Sequence, residues 1–239
     1  MGAPPPAVPI RDAATVVLLR DGAAALEVWL LTRVSRMVFA AGMSVFPGGR
    51  VDPADAALPW SGRAAERFAA DFGCDVELAR ALVGAAVRET FEETGVLITT
   101  PAAELSCAQP DVEAGRVGFG QLLTEHGLAI DADAVRPWSR WITPRGQPRR
   151  YDTRFFVAAL PGGACAADLT TESSMARWLP VAQALAERDA GTRALMPPTV
   201  QTLTSLRAYA TVAEVLAAAP ARSLAPVQRE LQQPTGRVL

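Results

Sequence analysis

Arg88-Glu-Thr-Phe-Glu-Glu-Thr-Gly95 closes the longest helical pattern in this 239-residue chain. Ahead of it, Ala79, Leu82, Val83, Ala86, Val87, Thr90 and Phe91 recur at the i, i+3, i+4, i+7 spacing of one buried face, which predicts a helix from about Val76 to Thr94. Gly95 supplies the left-handed residue that stops it. At about 100° per residue, Glu89, Glu92 and Glu93 fall within about 100° of one another, their centre roughly a quarter-turn from the apolar stripe. Like charges at these spacings cost a few tenths of a kcal/mol each, and the C-terminal end of a helix disfavours anions. The arrangement therefore calls for a compensating positive group. Hard oxygen donors with no His or Cys among them suit Mg²⁺ or Mn²⁺. A bare E-x-x-E-E is more often a solvated acidic face, so the surrounding chain decides between the two.

Outward from this helix the pattern is α/β with interleaved elements. Ala14–Arg20 and Leu26–Arg33 read as strands joined across Asp21-Gly22, a hairpin turn. Phe39–Gly49 ends in Phe46-Pro-Gly-Gly49, a loop rich in glycine. A short helix is expected near Arg63–Phe72 and a strand over Val96–Thr100. Further on come a helix over Val112–His126, extended segments at Trp138–Thr143, Tyr151–Leu160 and Arg177–Leu179, and helices over Val181–Arg188 and Thr199–Ala219. Residues 1–11 read as a disordered lead, 12–220 as a single domain with an insertion at about 56–75 and a helical segment at about 102–136, and 221–239 as a flexible tail.

Composition removes whole classes of chemistry. All 23 basic residues are arginine, so a lysine Schiff base and a P-loop lysine are both excluded. The lone His126 rules out zinc sites built on two or three imidazoles, and it reads as a helix-end cap. Three widely spaced cysteines, Cys74, Cys107 and Cys165, read as reduced and mostly buried thiols of a cytoplasmic protein. A net charge of −2 argues against a nucleic-acid surface. No apolar run approaches the ~18 residues of a membrane span. Carboxylates are left as the main catalytic groups.

Phe46-Pro-Gly-Gly49, Arg88-Glu89 and Glu92-Glu93 followed by Gly95-Val96 together resemble the signature of the Nudix hydrolases, G-x5-E-x7-R-E-U-x-E-E-x-G-U, where U is a bulky aliphatic residue. The R-E-x-x-E-E-x-G half is complete. Three departures stand beside it. Thr90 occupies an aliphatic position, Asp55 falls where the family has Glu, and 32 residues, 56–87, separate Asp55 from Arg88 where the family has seven. Asp55, Glu77 or neither fills the first acidic position. The split signature is similar to that of a Nudix subgroup of coenzyme A and acyl-CoA diphosphatases, as are Trp141-Ile-Thr-Pro144, Tyr151–Phe156 and Met196-Pro-Pro198.

The resemblance implies an α/β/α sandwich with a mixed sheet, an insertion inside the signature and added C-terminal helices. It implies hydrolysis of a pyrophosphate bond in a nucleoside diphosphate derivative, with Mg²⁺ or Mn²⁺ held by Glu89, Glu92, Glu93 and the Gly49 carbonyl. Glu92 is a further ligand or the general base, and Glu172 in a late loop is another catalytic acid. Arg33 and Arg36 are placed on substrate phosphate, and Phe46, Gly48 and Gly49 at the substrate. Coenzyme A or acyl-CoA is the leading substrate. ADP-ribose or another nucleotide sugar is the same-fold alternative, and a non-catalytic ligand-sensing module is the alternative of another class. The expected partner is a small nucleotide, with no nucleic acid or membrane, and a homodimer is left open.

Overall fold

The computed structural model describes residues 8–34, 42–167 and 173–227. The chain opens with β1 (Ile10–Asp21) and β2 (Leu26–Arg33), which form the expected hairpin; Gly22 N donates to Ala25 O across its turn at 3.0 Å. Two short strands follow, β3 (Ser44–Val45) and β4 (Gly48–Arg50), then a 3-10 turn at Pro53–Ala57 and β5 (Trp60–Ser61). Helices α1 (Ala65–Phe72) and α2 (Val76–Thr94) precede β6 (Thr99–Thr100). Helices α3 (Gln109–Glu113) and α4 (Phe119–Glu125) lead into β7 (Ala129–Asp131), β8 (Arg136–Ile142), β9 (Arg150–Ala159) and β10 (Ser173–Pro180). Helices α5 (Val181–Asp189), α6 (Pro197–Leu206) and α7 (Val212–Ala218) complete the described elements.

Among the described residues the main sheet runs β10-β2-β1-β9-β8, with β1 and β9 parallel and the other neighbours antiparallel. Strand alternation assigns its two faces. Val16 and Leu18 of β1, Leu31 of β2 and Phe156 of β9 pack with α1 to α4, whereas Val17, Leu19, Val28 and Val157 pack with α5 to α7. The result is the expected α/β/α sandwich with a mixed sheet.

Helix α2 has the predicted limits because its local signals agree. Asp75 caps its start, accepting from Leu78 N at 2.7 Å, and Gly95 closes it at φ 73°. Leu82, Val83, Val87 and Phe91 are fully buried, each contributing about 1.5–3 kcal/mol. Thr90, at the position the signature reserves for an aliphatic residue, is also fully buried; its Oγ1 donates to Ala86 O at 2.7 Å, so no polar group is left unsatisfied. Thr94 repeats the device, donating to Thr90 O at 2.6 Å.

The inserted segment is stitched to the body. Strand β5 runs parallel to β7, which also pairs with β6, and Ile130 N donates to Pro59 O at 2.8 Å. Trp60 and Phe68 pack edge to face at 5.8 Å, and the Arg80 guanidinium lies over Trp60. Its 3-10 turn rests directly on α2 at Gly84, where a Cβ would run into the Asp55 carbonyl oxygen.

Several expectations are corrected. The predicted helix over Val112–His126 is two helices, broken where Gly115 turns at φ 67° and Val117 N folds back onto Asp111 O. Thr199–Ala219 likewise divides, because Thr211 caps a new helix by accepting from Glu214 N. Of Val96–Thr100, only Thr99–Thr100 pairs as strand, whereas the strand expected at Arg177–Leu179 spans the whole of β10. The lead ends sooner than expected, since Ile10 and Arg11 pair with β9. The expected flexible tail runs along β8 as far as Val227, with Val227 N donating to Arg140 O at 2.9 Å. Cys74 is only half-buried, and Cys107 and Cys165 are exposed because they lie in a short turn and a loop. No helix among the described residues is long and apolar enough to cross a membrane.

In a helix interior Gly→Ala normally gains about 0.5–1 kcal/mol. At Gly84 the clash with Asp55 reverses the sign: Gly84→Ala is expected to lower unfolding free energy by about 1–3 kcal/mol. A denaturant titration that shows a gain would contradict the packing described for the insertion.

Candidate active site

The last two turns of α2 carry one cation and three acids, and the cation is engaged on every side. Arg88 Nε and Nη2 fork onto Asp55 Oδ1 and Oδ2 at 2.8 and 3.0 Å. Nη2 also reaches the Arg50 carbonyl at 3.0 Å, and Nη1 donates to Glu89 Oε1 at 2.9 Å and, more loosely, to Glu92 Oε2 at 3.4 Å. Asp55 is buried and accepts a further bond from Asp52 N at 2.8 Å, within a reciprocal capping box that fixes the 3-10 turn. Asp55 therefore occupies the first acidic position left open by the sequence and holds Arg88. Glu77 lies in the first turn of the same helix, some 18 Å away along the axis from Glu89 at 1.5 Å per residue.

The glycine loop reaches these acids because the sheet splits. Strands β1 and β2 pair only from Leu19–Asp21 to Leu26–Val28; farther along, β1 takes β4 as its partner and β2 takes β3. Residues 44–50 are wedged into the gap, with Val16 N donating to Pro47 O at 2.9 Å. Gly48 N donates to Glu93 Oε2 at 2.9 Å. A Cβ on Gly48 would lie 2.5 Å from Ala14 O, and one on Gly49 would collide with the Glu89 carboxylate. Both glycines are there for close approach.

Burial pushes the Glu92 carboxyl up to about 7; the Arg88 charge opposes this, and the Glu89 and Asp55 charges reinforce it. Burial alone would favour loss of the Arg88 proton, but its hydrogen bond to Asp55 and the charges of Glu89, Asp55 and Glu92 outweigh that and hold it more firmly protonated. Three carboxylates, Asp55, Glu89 and Glu92, thus gather around one guanidinium, and Glu93 lies on the same helix end against the Gly48 amide. Such an anionic, oxygen-only set fits a hard divalent cation. The fit is not preformed: among the described residues no three acidic, His or Cys side chains already converge as a cage. Glu93 faces the Gly48 amide and Glu89 faces Arg88, so binding a cation requires these carboxylates to turn.

The other predicted residues fall in different places. Phe46, expected at the substrate, is 3% exposed and packs in the core on the α5 to α7 face of the sheet. Arg33 ends β2, its N–H donating to Met43 O at 3.1 Å, opposite Ser173 of β10. Arg36 and Glu172 lie outside the described residues. Ala167 N bonds to Thr94 O, which ties the loop after β9 to the end of α2. His126 caps α4 as expected, its Nδ1 3.0 Å from Leu122 O. One residue the sequence did not single out is Gln109, fully buried, whose Nε2 donates to Glu92 O and, at 3.1 Å, to Glu113 Oε2. It fastens α3 to the acidic end of α2, and no spacing signal marks it.

A mixed sheet split by a glycine loop, with an R-E-x-x-E-E helix laid against the split, defines a Nudix domain, and the chain belongs to the Nudix family. More narrowly, the family model that matches is the NUDT19 Nudix domain, over residues 73–206. The chain is 32% identical over 199 residues to a Caenorhabditis elegans protein named putative nudix hydrolase 7, covering 82% of this chain and 60% of that one. It is 30% identical over 208 residues to Gallus gallus acyl-coenzyme A diphosphatase NUDT19, covering 63% and 55%. The chain thus spans about three-fifths or less of the length of these curated relatives. The crystal structure of a NUDIX hydrolase from Alicyclobacillus acidocaldarius is 29% identical, with a TM-score of 0.75 over 92% of this chain and 99% of that one. Nudix hydrolases generally need divalent metal ions and act on small nucleotide substrates.

Removing one partner of a buried ion pair typically costs about 3–5 kcal/mol. Asp55→Ala is expected to destabilise the chain by that amount, while Glu77→Gln changes it by no more than ~0.5 kcal/mol. Equal losses in calorimetry would place the first acid wrongly.

Proposed function

We propose that this chain hydrolyses the pyrophosphate bond of a nucleoside diphosphate derivative, with coenzyme A or acyl-CoA as the leading substrate, yielding 3′,5′-ADP and the (acyl-)4′-phosphopantetheine. The observation that carries the chemistry is the acidic face that Arg88 and the glycine wedge assemble at the end of α2. The coenzyme A assignment is supported by the split signature and by the similarity to the Gallus gallus relative named an acyl-coenzyme A diphosphatase.

Glu89 and Glu93 are the first-choice ligands for Mg²⁺ or Mn²⁺, with the Gly49 carbonyl beside them and Glu92 as a further ligand or the base. When bound, such ions neutralise the diphosphate, orient it and make a bound water more acidic. The chain's own residues do the rest. Arg88 forks onto Asp55 and reaches the Arg50 carbonyl, which pins the acidic end of α2 beside the glycine loop, and it holds Glu89 until a cation draws that carboxylate away. Glycines 48 and 49 let the loop backbone lie directly against β1 and the Glu89 carboxylate, which brings the Gly49 carbonyl to the acids. A water oxygen attacks one phosphorus, the bridging P–O bond breaks, and the water proton passes to a carboxylate; Glu92 and Glu172 are the candidates for that base. The departing phosphate oxygen keeps the bond's electron pair. Arg33 and Arg36 are proposed to hold a phosphate outside the bridge.

With Mg²⁺ or Mn²⁺, turnover of coenzyme A or an acyl-CoA is expected to exceed that of ADP-ribose, and chelation should abolish it reversibly. Glu93→Gln should cost about 10²–10³ in kcat. A preference for ADP-ribose would overturn the substrate, and an active preparation that loses nothing on Glu93→Gln would overturn the acidic-face mechanism.

A further inference from the structure

A cleft of about 940 Å³ opens directly off the acidic face, with Asp55, Arg88, Glu89 and Glu92 at one end. Its two walls come from parts of the chain far apart in sequence. Leu58 and Pro59 of the insertion form one, and Val112, Val117 and Phe119 of the α3–α4 hairpin form the other. The walls meet where α4 presses on the insertion, since a Cβ on Gly120 would lie 3.1 Å from Leu58 Cδ2. Of the apolar residues in the insertion, Phe68 and Trp60 pack against each other, while Leu58 faces this cleft. Its size is that of a site for a small organic molecule.

Charge decides which part of a substrate enters. The basic side chains lining the cleft are Arg50 and Arg88, and Arg88 is fully engaged by Asp55, Glu89 and Glu92. Five acids line it as well: Asp52, Asp55, Glu89, Glu92 and Glu125. Beyond the acidic end, the Leu58–Pro59 and Val112–Phe119 walls present apolar side chains and glycine backbone. A phosphorylated nucleoside would meet the repulsion of five acids against the Arg50 guanidinium as the cation left to it. An uncharged, slender chain with a few amides would bury apolar surface and keep its polar groups at the rim beside Gln121 and Thr124.

We propose that this cleft is the subsite for the pantetheine arm and its acyl chain, and that the insertion within the signature exists to supply one of its walls. This rests on the coenzyme A reading above and adds the substrate's direction: the arm runs between insertion and hairpin, and the phosphoadenosine lies on the opposite side of the acidic face.

The test compares kcat/KM for octanoyl-CoA, coenzyme A and ADP-ribose in the wild-type chain and in Val117→Trp, which places an indole in the cleft from a half-buried turn position. The ratio of octanoyl-CoA to coenzyme A should fall by roughly tenfold or more, mainly through KM. An unchanged ratio in a folded variant overturns the inference while leaving coenzyme A hydrolysis intact. A wild-type chain that turns over ADP-ribose and not coenzyme A overturns the parent reading, and the inference with it. Independently of any variant, S-octanoyl-pantetheine, which has no phosphate, should compete with octanoyl-CoA in the wild type and do so better than pantetheine. Absence of competition at millimolar concentration overturns the assignment.

Discussion

A guanidinium buried to the extent of Arg88 has to find acceptors for all its donors, and no single stretch of this chain provides them. They come from the turn after the glycine loop, from the Arg50 carbonyl and from Arg88's own helix. Because the partners are separate in sequence, satisfying Arg88 closes the structure around it: the turn at 53–57 docks on α2, Gly84 must lack a side chain, and residues 56–87 form a closed excursion whose two ends meet at one ion pair. Buried pairs of this kind add little net stability over an apolar alternative, yet they are costly to break. Here the pair fixes geometry. It keeps Asp55 out of the reactive set and leaves Glu89, Glu92 and Glu93 facing the wedge and the cleft.

That closure also explains how a signature with 32 residues where the family has seven keeps its site. In this chain the first acid and the arginine meet across the gap, and the residues between them are free to do something else. In this protein it forms a short strand paired to β7, a helix packed on α2 and one wall of the cleft beside the acids. The segment that breaks the motif in sequence is thus the neighbour of the site in space.

Much of this was legible from residues. Helix α2, its stop at Gly95 and the grouping of the three acids followed from periodicity and from the glycine, because local and tertiary preferences coincide there. The β1–β2 hairpin followed from Asp21-Gly22. The breaks within 112–126 and 199–219 carried readable signals, Gly115 and the Thr211–Glu214 capping pair, which the apolar spacing outweighed. The choice between Asp55 and Glu77 was not legible, since loop closure across the insertion is a property of the folded chain. The burial of Phe46 was not legible for a similar reason: the alternation that sends it into the core is set by the split in the sheet, which has no local marker. The absence of lysine proved consistent with the site, where the cation that orders the acids needs a planar fork that an ammonium lacks.

Whether Asp55 and Arg88 organise a cation-binding face across the inserted segment is tested most directly by anomalous diffraction at the manganese edge. Crystals of the wild-type chain soaked in Mn²⁺ should show a peak bounded by Glu89, Glu93 and the Gly49 carbonyl, with Arg88 still forked onto Asp55. Crystals of Asp55→Asn should lose that peak as Arg88 turns onto the acids. A wild-type peak elsewhere, or one unchanged in the variant, would contradict the arrangement.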